Sequence, residues 1–365
     1  MKNNPVQRKI DDLLREAQDA SASDVHISPG RPPYFRIAGH LEPVGETALT
    51  PDETLAMIQE LLSNNERAQA ALETGRQADF SYALPDNTRF RVNVFYRLSN
   101  LAAALRVIPN QIKTITELNL PPQLLKFTEL KQGFILATGP AGHGKSTTLA
   151  ALINHINNER REHIITIEDP IEYQFVDSKS LIDQREIGHD AVSFLEAIEA
   201  TLRQDPNIIL IGELRDYESM QAALTLAETG HLVFATLHTN DAAQTVARII
   251  DSFPASQQEQ IRSQMAATLS GVVSQRLLPG TKGGLIPAVE VMVATTAIRN
   301  VIREDNVHQI PGIIETSGEA GMQTLSASLE SLINAGHVAA EDARAWLSVG
   351  AQMSSDGRTG KRKRF

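Results

Sequence analysis

The stretch GPAGHGKST, residues 139–147, decides the fold. It has the form G-x-x-x-x-G-K-[ST]. Gly139 and Gly144 let the backbone curl so that its N–H groups face a phosphate. Lys145 reaches the outer phosphates of a nucleoside triphosphate such as ATP, and Ser146 can ligate Mg2+. Pro140, Ala141, Gly142, His143 and Thr147 complete the loop. The apolar run GFILAT (133–138) reads as a buried strand before it. A helix is expected from Lys145 onward, presenting its positive N-terminal end to the same anion. His143 is unusual here: either a tolerated side chain on a loop whose backbone does the binding, or a phosphate contact.

Outward from the loop, HIITIE (163–168), NIILIGE (207–213) and LVFATL (232–237) are further apolar, β-branched runs. Helical stretches such as SFLEAIEATLRQ (193–204) and SMQAALTLAETG (219–230) lie among them. Strands alternating with helices predict an α/β domain with a mainly parallel sheet covered on both faces. Beyond residue 294 the pattern is mostly helical. Upstream, residues 1–108 read as a small α+β domain. It has a helix over 1–18, short strands broken by Pro and Gly over 23–44, and a helix from Pro51 capped by Thr50 with Glu53. Alternating strands follow at ADFSYAL, TRFRVNVFYR and LAAALRVIP. Residues 109–125 have the prolines and polar residues of a linker. The expected organisation is thus 1–108, linker 109–125, ATPase core 126–294, helical region 295–351 and a disordered basic tail 352–365.

The chain has 365 residues, 42% of them hydrophobic, enough to bury a core. It has no cysteine. Disulfides and cysteine-ligated zinc are therefore excluded, which suits a reducing cytoplasm. No apolar run approaches the ~20 residues needed to span a bilayer. The polar start MKNNPVQRKIDDLLREAQ has no signal-peptide core, so a cytoplasmic location is expected unless a partner docks the chain at a membrane. Net charge is −10; the last ten residues carry +4, so the rest carries −14. An acidic body argues against nucleic-acid binding. The tail is either a solvated end or a contact for anionic lipid or an acidic partner.

In such sheets ligands bind at the carboxyl ends of strands. Two acids stand there: Glu168, followed by Asp169 and Pro170, and Glu213. Gly212 replaces the usual strand-end Asp, so Mg2+ is expected to lean on Ser146, phosphate and water. Glu213 or Glu168 can orient the attacking water, or merely be solvated at a strand end. His231 and His238 flank one strand, roughly 23 Å apart, too far to share a metal. His238 is at the end that can face a γ-phosphate. Arg89, Arg91, Arg97 and Arg106 crowd the last strands of the first domain, as a charged edge or as donors to a phosphoryl transition state. Residues 297–304, AIRNVIRE, form an amphipathic helix with Ile298, Val301 and Ile302 as its apolar stripe. Arg299 and Arg303 are expected on another face as exposed charges of little weight in stability.

Together GPAGHGKSTT, TIEDPIEY, DPNIILIGELRD and AETGHLVFATLHTNDA resemble the Walker A, aspartate-box, Walker B and histidine-box motifs of the secretion-ATPase superfamily of type II and type IV systems. SDVHISPGRPPYFRIAGHL and FRVN also match, so the resemblance spans about residues 5–348. It implies a PAS-like amino-terminal α+β domain, a RecA-like P-loop ATPase domain with carboxyl-terminal helices, and a homohexameric ring. By the same resemblance Lys145 and Ser146 bind phosphate and Mg2+, Glu213 is the catalytic glutamate and Glu168 supports it. His231 and His238 are the histidine-box positions, and Arg91 and Arg106 reach nucleotide from the first domain; Arg97 sits out of register. Ala141 and His143 depart from the family's usual Thr and Ser, and Leu214 from the Met of many retraction members.

The absent cysteines, AIRNVIRE and GMQTLSASL (321–329) resemble the retraction branch of type IV pilus ATPases rather than the zinc-bearing assembly branch. The implied role is ATP-driven pilus retraction in twitching motility, at the cytoplasmic face of the inner membrane beneath a pilus platform protein. Ala297, Ile298, Arg299, Asn300, Val301, Ile302, Arg303 and Glu304 would then be the coupling element. A paralogous accessory retraction ATPase, or an extension or type II secretion ATPase without zinc, is the alternative.

Overall fold

A computed structural model describes residues 9–346 apart from 38, 87, 109, 110 and 345. The tail expected over 352–365 lies outside the described residues, as do the first eight residues of the helix expected over 1–18. The chain divides into two compact units: residues 1–111 with 170–174, and 112–169 with 175 onward.

In the first unit, α1 (Ile10–Asp19) precedes three short strands, β1 (Asp24–Ile27), β2 (Tyr34–Ile37) and β3 (His40–Pro43). Then come α2 (Pro51–Leu62), α3 (Glu66–Gly75), β4 (Gln77–Ala83), β5 (Arg89–Arg97) and β6 (Asn100–Ile108). The strands form one antiparallel sheet in the order β3-β2-β1-β6-β5-β4. Thr50 and Glu53 make the expected reciprocal cap of α2. Along β5 the side chains alternate: Phe90, Val92 and Val94 are fully buried with Ile10, Leu13 and Leu14 of α1, while Arg91 is exposed.

The second unit holds β7 (Gly133–Thr138), α4 (Lys145–Glu159), β8 (His163–Glu168), β9 (Leu181–Glu186), α5 (Phe194–Thr201), β10 (Ile208–Ile211), α6 (Tyr217–Glu228) and β11 (Leu232–Leu237). It continues through α7 (Ala242–Asp251), α8 (Gln258–Thr268), β12 (Leu269–Pro279), β13 (Leu285–Val293), α9 (Thr296–Arg303), α10 (Ile310–Thr316) and α11 (Leu325–Asn334). Its sheet runs β13-β12-β7-β11-β10-β8-β9 and is parallel except for the β12–β13 pair. All residues of β7 and β11 are buried. They need to be apolar on both faces because separate clusters cover the two sides of the sheet.

Three parts differ from the sequence reading. β9 and the long β12–β13 hairpin were not anticipated. Residues 112–125, expected as linker, pack into the second unit: Ile115, Leu120 and Leu124 bury against Ile135 and Leu152. The polar residues and prolines of this stretch separate apolar anchors rather than free the chain. The third difference is on α9. Ile298, Val301 and Ile302 point inward as expected. Arg299 does not behave as an exposed charge. Its Nε donates to Ala294 O at 3.0 Å, and its Nη1 donates to Ala266 O at 2.6 Å and Ala267 O at 2.8 Å. Ala266 and Ala267 lie in the last turn of α8, whose carbonyls have no later helical N–H to meet, and Ala294 lies just before α9. Ala297, Asn300, Arg303 and Glu304 form the exposed face of α9.

Arg299→Ala should therefore lower unfolding stability by about 1–3 kcal/mol, the cost of leaving carbonyls without a donor. Arg303, which among the described residues bonds only Asn300 Oδ1 on its own helix, should cost at most about 1 kcal/mol as Arg303→Ala. Urea unfolding of the two variants checks this; equal, small losses would show that Arg299 is dispensable to the fold.

Candidate nucleotide-binding site

β7 ends at Thr138 and the glycine loop turns directly into α4, with Gly144 left-handed (φ +81°) at its N-cap. Gly139 is dictated by close approach, and Gly144 by its left-handed backbone. A Cβ on Gly139 would collide with the carbonyl oxygen of Gln275, and one on Gly144 would come within 2.7 Å of Gln275 Nε2. Lys145 is buried, and its ammonium donates to Gly139 O at 2.9 Å and Pro140 O at 3.0 Å. It also lies 3.3 Å from His238 Nδ1. Since an ammonium only donates, His238 Nδ1 accepts and the ring proton sits on Nε2. That Nε2 meets Glu213 Oε1 at 3.1 Å. Glu213 in turn accepts from Arg215 Nε at 2.9 Å, and Arg215 Nη1 lies 3.7 Å from Asp169. A continuous polar chain thus runs across the carboxyl ends of β7, β11, β10 and β8.

Glu168 closes β8 and is buried, accepting from Thr166 Oγ1 at 2.8 Å. The glycine at 212 has a local cause. A Cβ there would stand 3.3 Å from Glu168 Cα and from Ile167 O, tighter than side chains normally pack. His231 is at the opposite end of β11 from His238. Its Nδ1 bonds Leu226 O at 2.9 Å, bracing the turn after α6, and it is not part of the polar chain. Arg91 and Arg106 belong to the first unit, where they stand opposite each other in register on β5 and β6, both exposed. Arg106 Nε bonds Asp24 Oδ1 at 2.8 Å.

The sequence reading missed β12, which backs the loop. β12 pairs with β7 as far as Ser274–Thr138 and then runs on past the end of β7. Beyond that point its inward groups meet the loop instead of a strand. Gln275 Oε1 accepts from Thr148 Oγ1 at 2.7 Å, and the Leu277 N–H donates to His143 Nδ1 at 2.9 Å. Buried Arg276 donates through Nη1 to Gln275 O and through Nη2 to Asn240, in the loop after β11, at 2.9 and 3.0 Å. Burial pushes the Glu290 carboxyl up to about 7 and also raises Asp241, while Arg276 opposes both shifts. One signal was present: Ser274, Gln275 and Arg276 interrupt an otherwise apolar run.

A glycine loop between a central parallel strand and a helix, with acids and a histidine at the neighbouring strand ends, defines a RecA-like P-loop ATPase. The chain belongs to the Type II/IV secretion system protein family, which it matches over residues 1–283. It is 42% identical to the type IV pilus retraction ATPase PilT of Pseudomonas aeruginosa, over 92% of this chain and 97% of that protein. It is 43% identical to a twitching motility protein of Neisseria gonorrhoeae, over 88% and 86%. The crystal structure of the pilus retraction motor PilT with bound ADP superposes with a TM-score of 0.85 at 43% identity, covering 92% of this chain and 96% of that one.

His143 supplies a pH test. Burial, then the charges of Arg276 and Lys145, hold its pKa below the usual 6.5. The folded state keeps the ring neutral, so the unfolded chain takes up the proton first. Stability should be intact above pH 6.5 and fall as pH drops below it, down to the folded-state pKa. Urea unfolding from pH 8 to 5 should show a shallower fall in His143→Gln than in the parent.

Proposed function

We propose that this chain is the ATP-driven motor that retracts type IV pili. The observation that carries this is the unbroken Lys145–His238–Glu213 chain, in a protein similar to PilT along nearly its full length. The motor is a homohexamer. It works at the cytoplasmic face of the inner membrane on the pilus platform protein, with peripheral attachment through that partner. Among the described residues no helix is long and apolar enough to cross a membrane. The net charge of −10 is adverse to nucleic acid as the substrate.

In this reading the loop 139–147 cradles the phosphates through its N–H groups. Lys145 exchanges the Gly139 and Pro140 carbonyls for the outer phosphate oxygens. Ser146 suits Mg2+, a hard cation that takes oxygen donors and keeps several waters; no protein cage is required beyond that hydroxyl and the nearby acids. An ion held there would supply positive charge against the phosphates. Glu213 takes the proton of the attacking water, and Glu168, held by Thr166, supports it. His238 reports the state of the phosphate from Lys145 to Glu213. His231 holds the strand that carries His238 in place. Arg91 and Arg106 stabilise transition-state charge from the first unit. Residues 297–304 couple hydrolysis to the pilus through the exposed face Ala297, Asn300, Arg303 and Glu304.

Lys145→Ala should lose ATP binding in equilibrium dialysis. Glu213→Gln should bind ATP but turn over about 10²-fold more slowly or worse, as loss of a general base predicts. Should Glu168→Gln prove the slower of the two, the roles of the acids are reversed.

Deleting the gene in its host should leave excess pili and abolish surface motility. Bald cells would assign extension, and normal motility an accessory role. An Arg303→Ala chromosomal variant should keep ATPase activity and fold while losing motility; normal motility would reduce this face of α9 to ordinary surface.

A further inference from the structure

The chain has one tryptophan, Trp346, far along the sequence from the glycine loop. The fold nevertheless brings it to the loop. Its ring meets His143 edge-on, with centroids 6.0 Å apart and planes at 79°. On its face lies the Arg276 guanidinium, 5.1 Å from the ring centroid. Arg276 Nε is buried and has no hydrogen-bond partner among the described residues. The electron-rich face of the indole is thus part of what compensates that cation. Trp346 also packs beside the small apolar cluster of Leu278, Leu329 and Val338, which fixes its place.

Both residues under Trp346 hold nucleotide-site loops. His143 ties the crest of the glycine loop to β12 through the Leu277 N–H. Arg276 ties β12 to Asn240, two residues beyond His238. These loops flank Lys145 and His238, and each depends on one orientation of a rotatable side chain. An imidazole can turn about its final bond, and a guanidinium with an unpartnered nitrogen is free to seek water. A flat ring against both removes that freedom and keeps water from the His143–Leu277 bond.

We propose that Trp346 is a positioning residue for nucleotide binding, pre-setting both loops through His143 and Arg276. The inference rests on ATP binding at residues 139–147. It makes the carboxyl-terminal segment part of the nucleotide site without any contact to the nucleotide.

The test uses the full chain and ATP. Two measurements are made on the parent: equilibrium dialysis, and tryptophan fluorescence, whose whole signal comes from Trp346. KM and kcat are then compared for Trp346→Leu, which keeps apolar bulk, and Trp346→Phe, which keeps a flat ring. Fluorescence should change with the same midpoint as ATP binding, because bound phosphate alters the field around the Arg276–His143 contact. Trp346→Leu should raise KM by about threefold to tenfold, with kcat within about twofold, because only the part of the edge-on aromatic and cation–π contacts that orders the loops bears on binding. Trp346→Phe should restore most of the affinity. A parent-like KM in Trp346→Leu overturns the proposal. So does fluorescence that stays flat while dialysis shows the site filling. A parent protein that binds no ATP by dialysis would remove the nucleotide reading itself, and this inference with it.

Discussion

The carbonyl of Gln275 occupies the space that a side chain at residue 139 would need. That approach of β12 to the turn at the end of β7 sets the rest of the site. It demands glycine at 139, while the left-handed backbone at 144 demands the second glycine. It places the Gln275 side chain against Thr148 on α4 and the Leu277 N–H against His143. A glycine loop is soft by itself, since each glycine loses more freedom on folding than any other residue. Here the softness is removed from outside, by a strand that outruns its neighbour. The backbone N–H groups can then face an anion at little further ordering cost.

Charge is distributed unevenly around this frame. On the side of β8, β10 and β11, acids and bases alternate from Lys145 to Asp169 and are partly open to water. On the side of β12 and β13, Arg276 is buried and Asp241 and Glu290 are half-buried. Burial holds Arg276 below its usual range and raises Asp241 and Glu290. Glu290, pushed up to about 7, is more easily protonated folded than unfolded. Its contribution to stability is therefore full in acid and is lost as pH rises toward that value. His143 runs in the other sense. Between the carboxyl's usual 4.5 and the imidazole's usual 6.5 the two act in opposite senses, so replacing His143 changes the slope by its own contribution alone.

Local signals in the sequence reached the loop, the strands β7, β8, β10 and β11, the alternation of β5 and the Thr50 cap. Each of these is written in adjacent residues: glycine spacing, β-branched runs between breakers, or a hydroxyl three residues before a carboxylate. The strand ends carrying Glu168, Glu213 and His238 followed from the same reading, because position along a strand fixes which end a residue occupies. β12 was illegible for a physical reason. It is buried on both faces, so it shows no alternation, and its bonds to the loop span more than 120 positions. Arg299 was misjudged because four-residue spacing defines a helix face but not what that face meets. Two of the three carbonyls it serves lie more than thirty residues earlier. Trp346 gave no local sign at all.

The clamp made by Arg299 has a mechanical meaning. α8 ends at Thr268 and β12 starts at Leu269, without an intervening loop. The guanidinium therefore grips the root of the strand whose seventh residue, Gln275, touches Gly139. From the grip to the glycine loop is roughly 20 Å of extended chain. A strand bonded on both sides within a sheet scarcely lengthens. Load applied to α9 thus meets a short, stiff rod rather than a hinge. Displacement at one end has to be taken up at the other, where the rod's tip leans on the phosphate cradle.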